Sequence, residues 1–307
     1  EVNDSIGSRL LYLANVQPNR NWCTYFRGEE SSYTISYGDL CKKSLEYAAV
    51  YGSSSLFRKR IAICLYPSLD LHAAFLGAIL AGHIPAIMPP FSVKTEPEKL
   101  RKTVHHFLES MNPDVIVIED AMTVSFDEIS IILSTDVLLV APSKMEIIKG
   151  SIDRQRGGLE TAFIQHSSGT TGYQKGVALS HASVINHCEE YGDAIFLEHE
   201  KDSCVSWLPL YHDMGLIACF ITPLMSGISI VEIPTLLWAE RPRLLFDAIT
   251  LHKPTLCWLP NFCYTYLAQS LSRAISSSNW DLSSIRLWTN CSEPILDESH
   301  QLFVRTF

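Results

Sequence analysis

The sequence predicts an α/β protein built on two doubly wound, mainly parallel sheets flanked by helices. Short runs rich in β-branched and apolar residues alternate with helical stretches along the whole chain. Glycine and proline fall between these runs, as at Gly82, Pro89-Pro90 and Asn112-Pro113, where turns need them. The strands are too many for one tidy sheet, so two lobes are expected, 1–190 and 191–307, dividing near 180–200. Strands alternating with helices of this size mean sheets covered on both faces, with ligands gathered at the carboxyl ends of the strands.

Taken in order, "RIAICLY" (60–66) reads as a buried strand. The stretch "DLHAAFLGAILAG" (70–82) is an apolar helix, "IPAIMPP" (84–90) a strand, and "EPEKLRKTVHHFLESM" (96–111) an amphipathic helix. "DVIVIED" (114–120) and "VLLVAP" (137–142) continue the series, and after a polar segment, 142–158, it restarts. "TAFIQHS" (161–167) and "KGVALS" (175–180) are a strand and its return. "HASVINHCEEYG" (181–192) is a helix capped by Ser180 and ended by Gly192. Then strand and helix alternate: "SCVSWLP" (203–209), "MGLIACFITPLMSG" (214–227), "ISIVEI" (228–233), "ERPRLLFDAITLH" (240–252), "TLCWLP" (255–260), "FCYTYLAQSL" (262–271) and "IRLWTN" (285–290). A last helix is expected from about Asp297 to Phe307, without a glycine cap or a following proline.

Composition narrows the function classes. The chain has 307 residues, 47% hydrophobic and 19% charged, enough for a large core. A formal net charge of −9 offers no basic stripe for a nucleic acid. The longest apolar runs, 73–80 and 216–224, are too short to span a membrane. Nine cysteines are scattered without a C-x-x-C pair, mostly inside apolar runs, which reads as buried free thiols in a reducing compartment. With no signal peptide at the start, a cytoplasmic location is expected. Glu1 is not an initiator methionine, and the last helix simply stops, so a piece of a longer protein is expected.

Three stretches that follow predicted strands carry the chemistry. The first is "HSSGTTGYQKGV" (166–177), which misses the Walker spelling because Lys175 lies between Gln174 and Gly176. Gly169 and Gly172 still let main-chain N–H groups approach an anion. Ser167, Ser168, Thr170 and Thr171 add hydroxyl donors, and Lys175 adds a point charge. That set suits a polyphosphate; a flexible linker would have no lysine and would not sit between two strands. In the second stretch, "WLPLYHDMGL" (207–216), His212 and Asp213 could be catalytic, metal-binding, or a turn with a buried imidazole. The third, "NCSEPI" (290–295), could be an ordinary strand-to-helix turn with Pro294 near the helix start.

Together these residues resemble the adenylate-forming enzymes, the superfamily of acyl-CoA synthetases, peptide-synthetase adenylation domains and luciferases. "SSGTTGYQKGVALSH" (167–181) is similar to the family's T-S-G-[ST]-T-G-x-P-K-G-V loop, with Gln174 in place of the proline. The resemblance implies that Ser167, Ser168, Gly169, Thr170, Thr171, Gly172 and Lys175 close over the phosphates of ATP, with Thr171 at the magnesium ion. "LPLYHDMGL" resembles the fatty acyl-AMP ligase branch, implying that Trp207, Pro209, Tyr211, His212, Asp213, Met214 and Gly215 line the carboxylate-substrate pocket. "NCSEP" is similar to the family's N-G-A-E-P, so Cys291, Ser292 and Glu293 would flank the adenine, with Cys291 and Ser292 replacing Gly-Ala. The segment 65–90 also resembles the acyl-AMP ligases, and "YTISYGDLCKKSLEYAAVYG" (33–52) resembles the family's opening helix.

The implied reaction is attack of a fatty (carboxylic) acid on ATP to give acyl-AMP and pyrophosphate, with Lys175, Thr170 and His212 as the catalytic set. The acyl group would then pass to an acyl carrier protein. An acyl-CoA synthetase is the alternative within enzymes, and a non-catalytic nucleotide- or lipid-binding module the alternative of another class. A phosphotransferase lacks the Walker lysine-serine pair. Family members carry a Y-G-x-T-E-type segment, a ribose-binding aspartate and a mobile C-terminal lid domain with a catalytic lysine. None of these is in the chain, so by itself it is expected to be inactive or nearly so.

Overall fold

The computed structural model describes residues 5–52, 58–91, 111–122, 137–145, 159–166, 175–275 and 278–307, together with 96, 98, 102 and 109. The amphipathic helix expected over 96–111 lies almost wholly outside the described residues. The strands run β1 Asn21–Tyr25, β2 Tyr33–Ser36, β3 Arg60–Cys64, β4 Ile84–Ile87, β5 Val115–Ile118 and β6 Leu138–Val140. They continue as β7 Thr161–His166, β8 Gly176–Ser180, β9 Ser203–Ser206, β10 Ser229–Glu232, β11 Leu256–Pro260 and β12 Leu287–Cys291. The chain divides into two compact units, one of residues 1–19 and 37–187, the other of 20–36 and 188–307.

The first unit holds a parallel sheet in the order β4-β3-β5-β6. Its inner strands β3 and β5 are short and almost wholly buried, as continuous apolar runs in a covered parallel sheet should be. One side packs Ala62, Cys64, Met88, Phe91, Met111, Ile116 and Ile118 into a shared cluster. The helix Leu69–Leu80, capped by Ser68, is buried on nearly every face, which explains its lack of an amphipathic pattern. It lies so close to the helix Tyr37–Tyr51 that a Cβ on Gly77 would stand 2.6 Å from the Ser44 carbonyl oxygen. β7 and β8 join neither large sheet; they form an antiparallel ribbon of their own.

In the second unit the order is β12-β11-β9-β10-β1-β2, parallel except for the last pair. Here the structure corrects the opening helix: "YTIS" is an edge strand against β1, and the helix starts only at Tyr37. The helix Ile6–Val16 and strand β1 were not anticipated either; the helix is signalled by the Ser5/Ser8 capping box. The helix His181–Ala194 does begin on a Ser180 cap, whose Oγ accepts from Ser183 N at 3.1 Å.

Two further helices differ from expectation, both at a proline. The helix expected over 240–252 starts only at Leu244 and runs to His252, after Pro242, which has no N–H to donate; Glu240 instead ends a separate helix, Thr235–Glu240. The stretch 214–227 was expected to be one α-helix. Instead Met214–Ile221 winds with five-residue hydrogen bonds, Thr222 N donating to Ile217 O, before an α-turn at Thr222–Ser226. The extra residue per turn accommodates Pro223, whose ring would collide with the fourth preceding carbonyl in a regular helix.

Asp202, just before β9, is tied to Arg286, just before β12. Arg286 donates to both carboxylate oxygens, at 2.6 and 2.9 Å, and also to the carbonyls of Ile195 and Phe196 at the end of the helix His181–Ala194. Burial would raise the Asp202 pKa, but donors from Arg286, Glu198 N and Thr255 Oγ1 prevail and hold it at about 2. A carboxylate with a depressed folded pKa stabilises above its unfolded value and loses that contribution as pH falls. Stability should therefore drop by about 2 kcal/mol between about pH 4 and pH 2 through this group. The Asp202→Asn variant should lack that component in a urea titration at each pH. Arg286→Ala strands the buried carboxylate and should cost about 3 kcal/mol at neutral pH in the same assay.

Candidate functional site

β9, β11 and β12 are neighbouring parallel strands, and the second and third peculiar stretches follow directly from the carboxyl ends of β9 and β12. After β9 the chain turns sharply: Ser206 Oγ accepts from Leu208 N at 3.0 Å, and the Pro209 carbonyl accepts from His212 N at 3.1 Å. This turn leaves His212 and Asp213 exposed, which corrects the buried-imidazole reading. Asp213 caps the next helical turn, its Oδ1 accepting from Met214 N at 2.8 Å. Gly215 is buried against the turn itself, where a Cβ would come within 2.4 Å of the Pro209 carbonyl oxygen.

Trp207 is 6% exposed and stacks on Trp238, centroids 3.6 Å apart and planes within 5°. Phe262 meets Trp207 edge-on at 6.4 Å, and Tyr266 meets Trp238 at 5.7 Å. The Trp207 carbonyl accepts from Thr235 Oγ1 at 2.8 Å, fixing the strand end to the helix Thr235–Glu240. Trp238 escaped the sequence reading; the signal available was position alone, since it follows β10, a strand flanking β9. Phe262 and Tyr266 stand on the apolar stretch "NFCYTYLAQ" (261–269), which the sequence offers as a further wall of a hydrophobic slot. Pro209 and Tyr211 are half-buried, the Tyr211 ring 4.9 Å from His212.

β12 ends at Cys291, whose sulfur touches the Met214 thioether; Ser292 Oγ reaches the same sulfur at 3.5 Å. Ser292 holds a left-handed φ of 74°, so the chain reverses sharply there. Glu293, expected beside the adenine, turns its carboxylate to the start of the helix Asn261–Leu271 and accepts from Phe262 N at 2.5 Å. Burial pushes the half-buried Cys291 thiol up in pKa, leaving it neutral at physiological pH. Thus Trp207–Gly215 and Cys291–Glu293 meet at Met214.

Ser167, Ser168, Gly169, Thr170, Thr171 and Gly172 lie outside the described residues, so the residue expected at magnesium has no described position. The flanks are described. His166 pairs with Gly176 across the β7–β8 ribbon, and Lys175 stands exposed immediately before β8. His166 Nδ1 is buried without a partner among the described residues, and burial lowers the His166 pKa, keeping the ring neutral.

A cavity of about 740 Å³ lies elsewhere in the second unit, lined by Tyr264, Trp280, Trp288, His300, Phe303 and Phe307 among others. None of the expected site residues borders it. All nine cysteines are free, eight of them buried. Among the described residues no helix is long and apolar enough to cross a membrane.

Comparison with known proteins gives concordant results. The profile of the AMP-binding enzyme family matches residues 13–307. The chain is 28% identical to the medium-chain-fatty-acid–[acyl-carrier-protein] ligase JamA of Moorena producens, over 97% of this chain and 51% of that protein. It is 29% identical to the long-chain-fatty-acid–AMP ligase FadD26 of Mycobacterium marinum, over 85% of this chain and 46% of that protein. The crystal structure of fatty acyl-adenylate ligase from L. pneumophila in complex with acyl adenylate and pyrophosphate superposes with a TM-score of 0.84. That match is 25% identical and covers 99% of this chain and 52% of the other. The chain spans about half the length of these relatives.

Proposed function

We propose, from the premise that this chain belongs to the AMP-binding enzyme family, that it forms the acyl and part of the nucleotide site of a fatty acyl-AMP ligase. The observation that carries this reading is the meeting of Trp207–Gly215 and Cys291–Glu293 at Met214 on the carboxyl edge of the second sheet. The acid's carboxylate oxygen would bond to the α-phosphorus of ATP as the bridge to pyrophosphate breaks, giving acyl-AMP. A carboxylate is already ionised at neutral pH, so the site needs no base; it needs alignment and charge neutralisation.

Each stretch has a part in that alignment. The Trp207–Trp238 stack, with Phe262 and Tyr266, offers an apolar wall for an acyl chain. His212, exposed on the turn that Gly215 permits, would orient the carboxylate end. Cys291 and Ser292 would flank the adenine. Lys175 and the loop 167–172 would hold the phosphates of ATP, with magnesium at Thr171 supplying further charge when bound. The acceptor is an acyl carrier protein, by similarity to the Moorena ligase.

Acyl-adenylate formation by mass spectrometry tests this. ATP, magnesium and a panel of medium- and long-chain fatty acids are supplied to this chain and to the chain extended past Phe307. Adenylate is expected from the extended form alone. Adding holo acyl carrier protein should then discharge it, and adding CoA should not. Discharge by CoA would make it a synthetase, and adenylate from neither form would remove the proposal.

A further inference from the structure

The loop between β12 and the last helix, Asp297–Thr306, is held at both ends by one side chain that belongs to neither element. Asn261, 5% exposed, is the first residue of the helix Asn261–Leu271. Its Oδ1 accepts from Leu296 N at 3.0 Å. A backbone N–H can only donate, so this contact fixes which way the Asn261 amide faces. The same oxygen accepts from Asn290 Nδ2, also at 3.0 Å, while Asn261 Nδ2 donates to Ser299 Oγ at 3.2 Å. Asn290 Nδ2 further lies 2.7 Å from His300 Nε2, which must then accept, placing the ring proton on Nδ1.

Residues 290 and 296 bracket the segment that carries Cys291, Ser292 and Glu293. One buried carbonyl oxygen therefore closes that loop like a staple, and Glu293 adds a second tie to the same helix through Phe262 N. A loop with Ser292 at a left-handed φ needs such outside restraint to stay in one conformation. We propose that Asn261 is a positioning residue for the nucleotide side of the site: it touches no reactant, but sets where Cys291 and Ser292 stand. This rests on the reading of that loop given under the proposed function.

Three variants test it. Asn261→Leu keeps the side chain's γ-branched shape and removes its every hydrogen bond. Asn261→Asp keeps both acceptor bonds and can accept from the Ser299 hydroxyl. Ser299→Ala removes only the tie to the last helix. Hydrogen exchange on the 307-residue chain should show faster exchange at Leu296 and through 292–296 in Asn261→Leu, with β11 and β12 unchanged. In the adenylating protein, Asn261→Leu should raise KM for ATP about tenfold, with KM for the fatty acid unmoved, since two hydrogen bonds restraining the loop are lost. Asn261→Asp should restore it to within about threefold, and Ser299→Ala should change stability without changing KM for ATP. Unchanged exchange at Leu296, or faster exchange throughout the second unit, overturns the staple. A wild-type protein that adenylates while Asn261→Leu leaves KM for ATP unmoved overturns the positioning role alone. A wild-type protein that forms no adenylate overturns that role together with the reading it depends on.

Discussion

Replacing Lys175 by alanine is expected to slow acyl-adenylate formation by about 10²–10³-fold, the usual loss when one preorganised group facing transition-state charge is deleted. Lys175 is exposed just before β8, so its removal should leave stability within about 0.5 kcal/mol of the parent. That pairing separates chemistry from folding. A rate loss with an unchanged urea midpoint supports a phosphate-gripping role, and an unchanged rate would remove Lys175 from the site. Lys175→Arg should recover only part of the rate, because a planar fork replaces a compact ammonium.

Gly215→Ala should be the most damaging small substitution in the second unit. The added methyl carbon would sit 2.4 Å from the Pro209 carbonyl oxygen and 2.9 Å from its carbon. Both are backbone atoms in a hydrogen-bonded turn, so neither can swing aside. A cost of about 1–3 kcal/mol is expected in urea unfolding, with loss of adenylation because the displaced turn carries His212 and Met214. Gly176→Ala makes an instructive contrast. Its nearest neighbour at 2.9 Å is the Ile164 Cγ2 methyl group, on a stiff β-branched carbon but on a side chain rather than the backbone, so a smaller cost than at Gly215 is expected there. Equal costs at the two glycines would show that the turn after β9 yields more readily than its hydrogen bonds suggest.

Much of the architecture was legible because burial writes it directly into residue type. A parallel strand covered on both faces must be apolar throughout, as in "RIAIC" and "LCWLP", and the runs fell where the strands are. Prolines and capping serines marked boundaries for the same local reasons. The misreadings share a cause. "YTIS" becomes a strand only because β1 lies beside it, and β1 pairs with β10, distant in the chain. The five-residue winding at Met214–Ile221 reconciles Pro223 with burial on several sides. The late start of the helix expected over 240–252 was, by contrast, readable at Pro242 itself.

The candidate site divides the same way. Glycine-rich and His-Asp spellings announce themselves, since their backbone freedom and polarity are out of place beside apolar strands. Trp238 and Asn261 carry no such mark: an aromatic after a strand is usually core, and an asparagine opening a helix is usually a cap. The sequence by itself determined the class of fold, the family and the three stretches at strand ends, because those depend on local polarity and backbone freedom. Only the tertiary structure decided that the second and third stretches meet at Met214, that Trp207 lies against Trp238, and that Asn261 ties residue 290 to residue 296. Those are contacts between segments far apart in the chain, set by strand order and register.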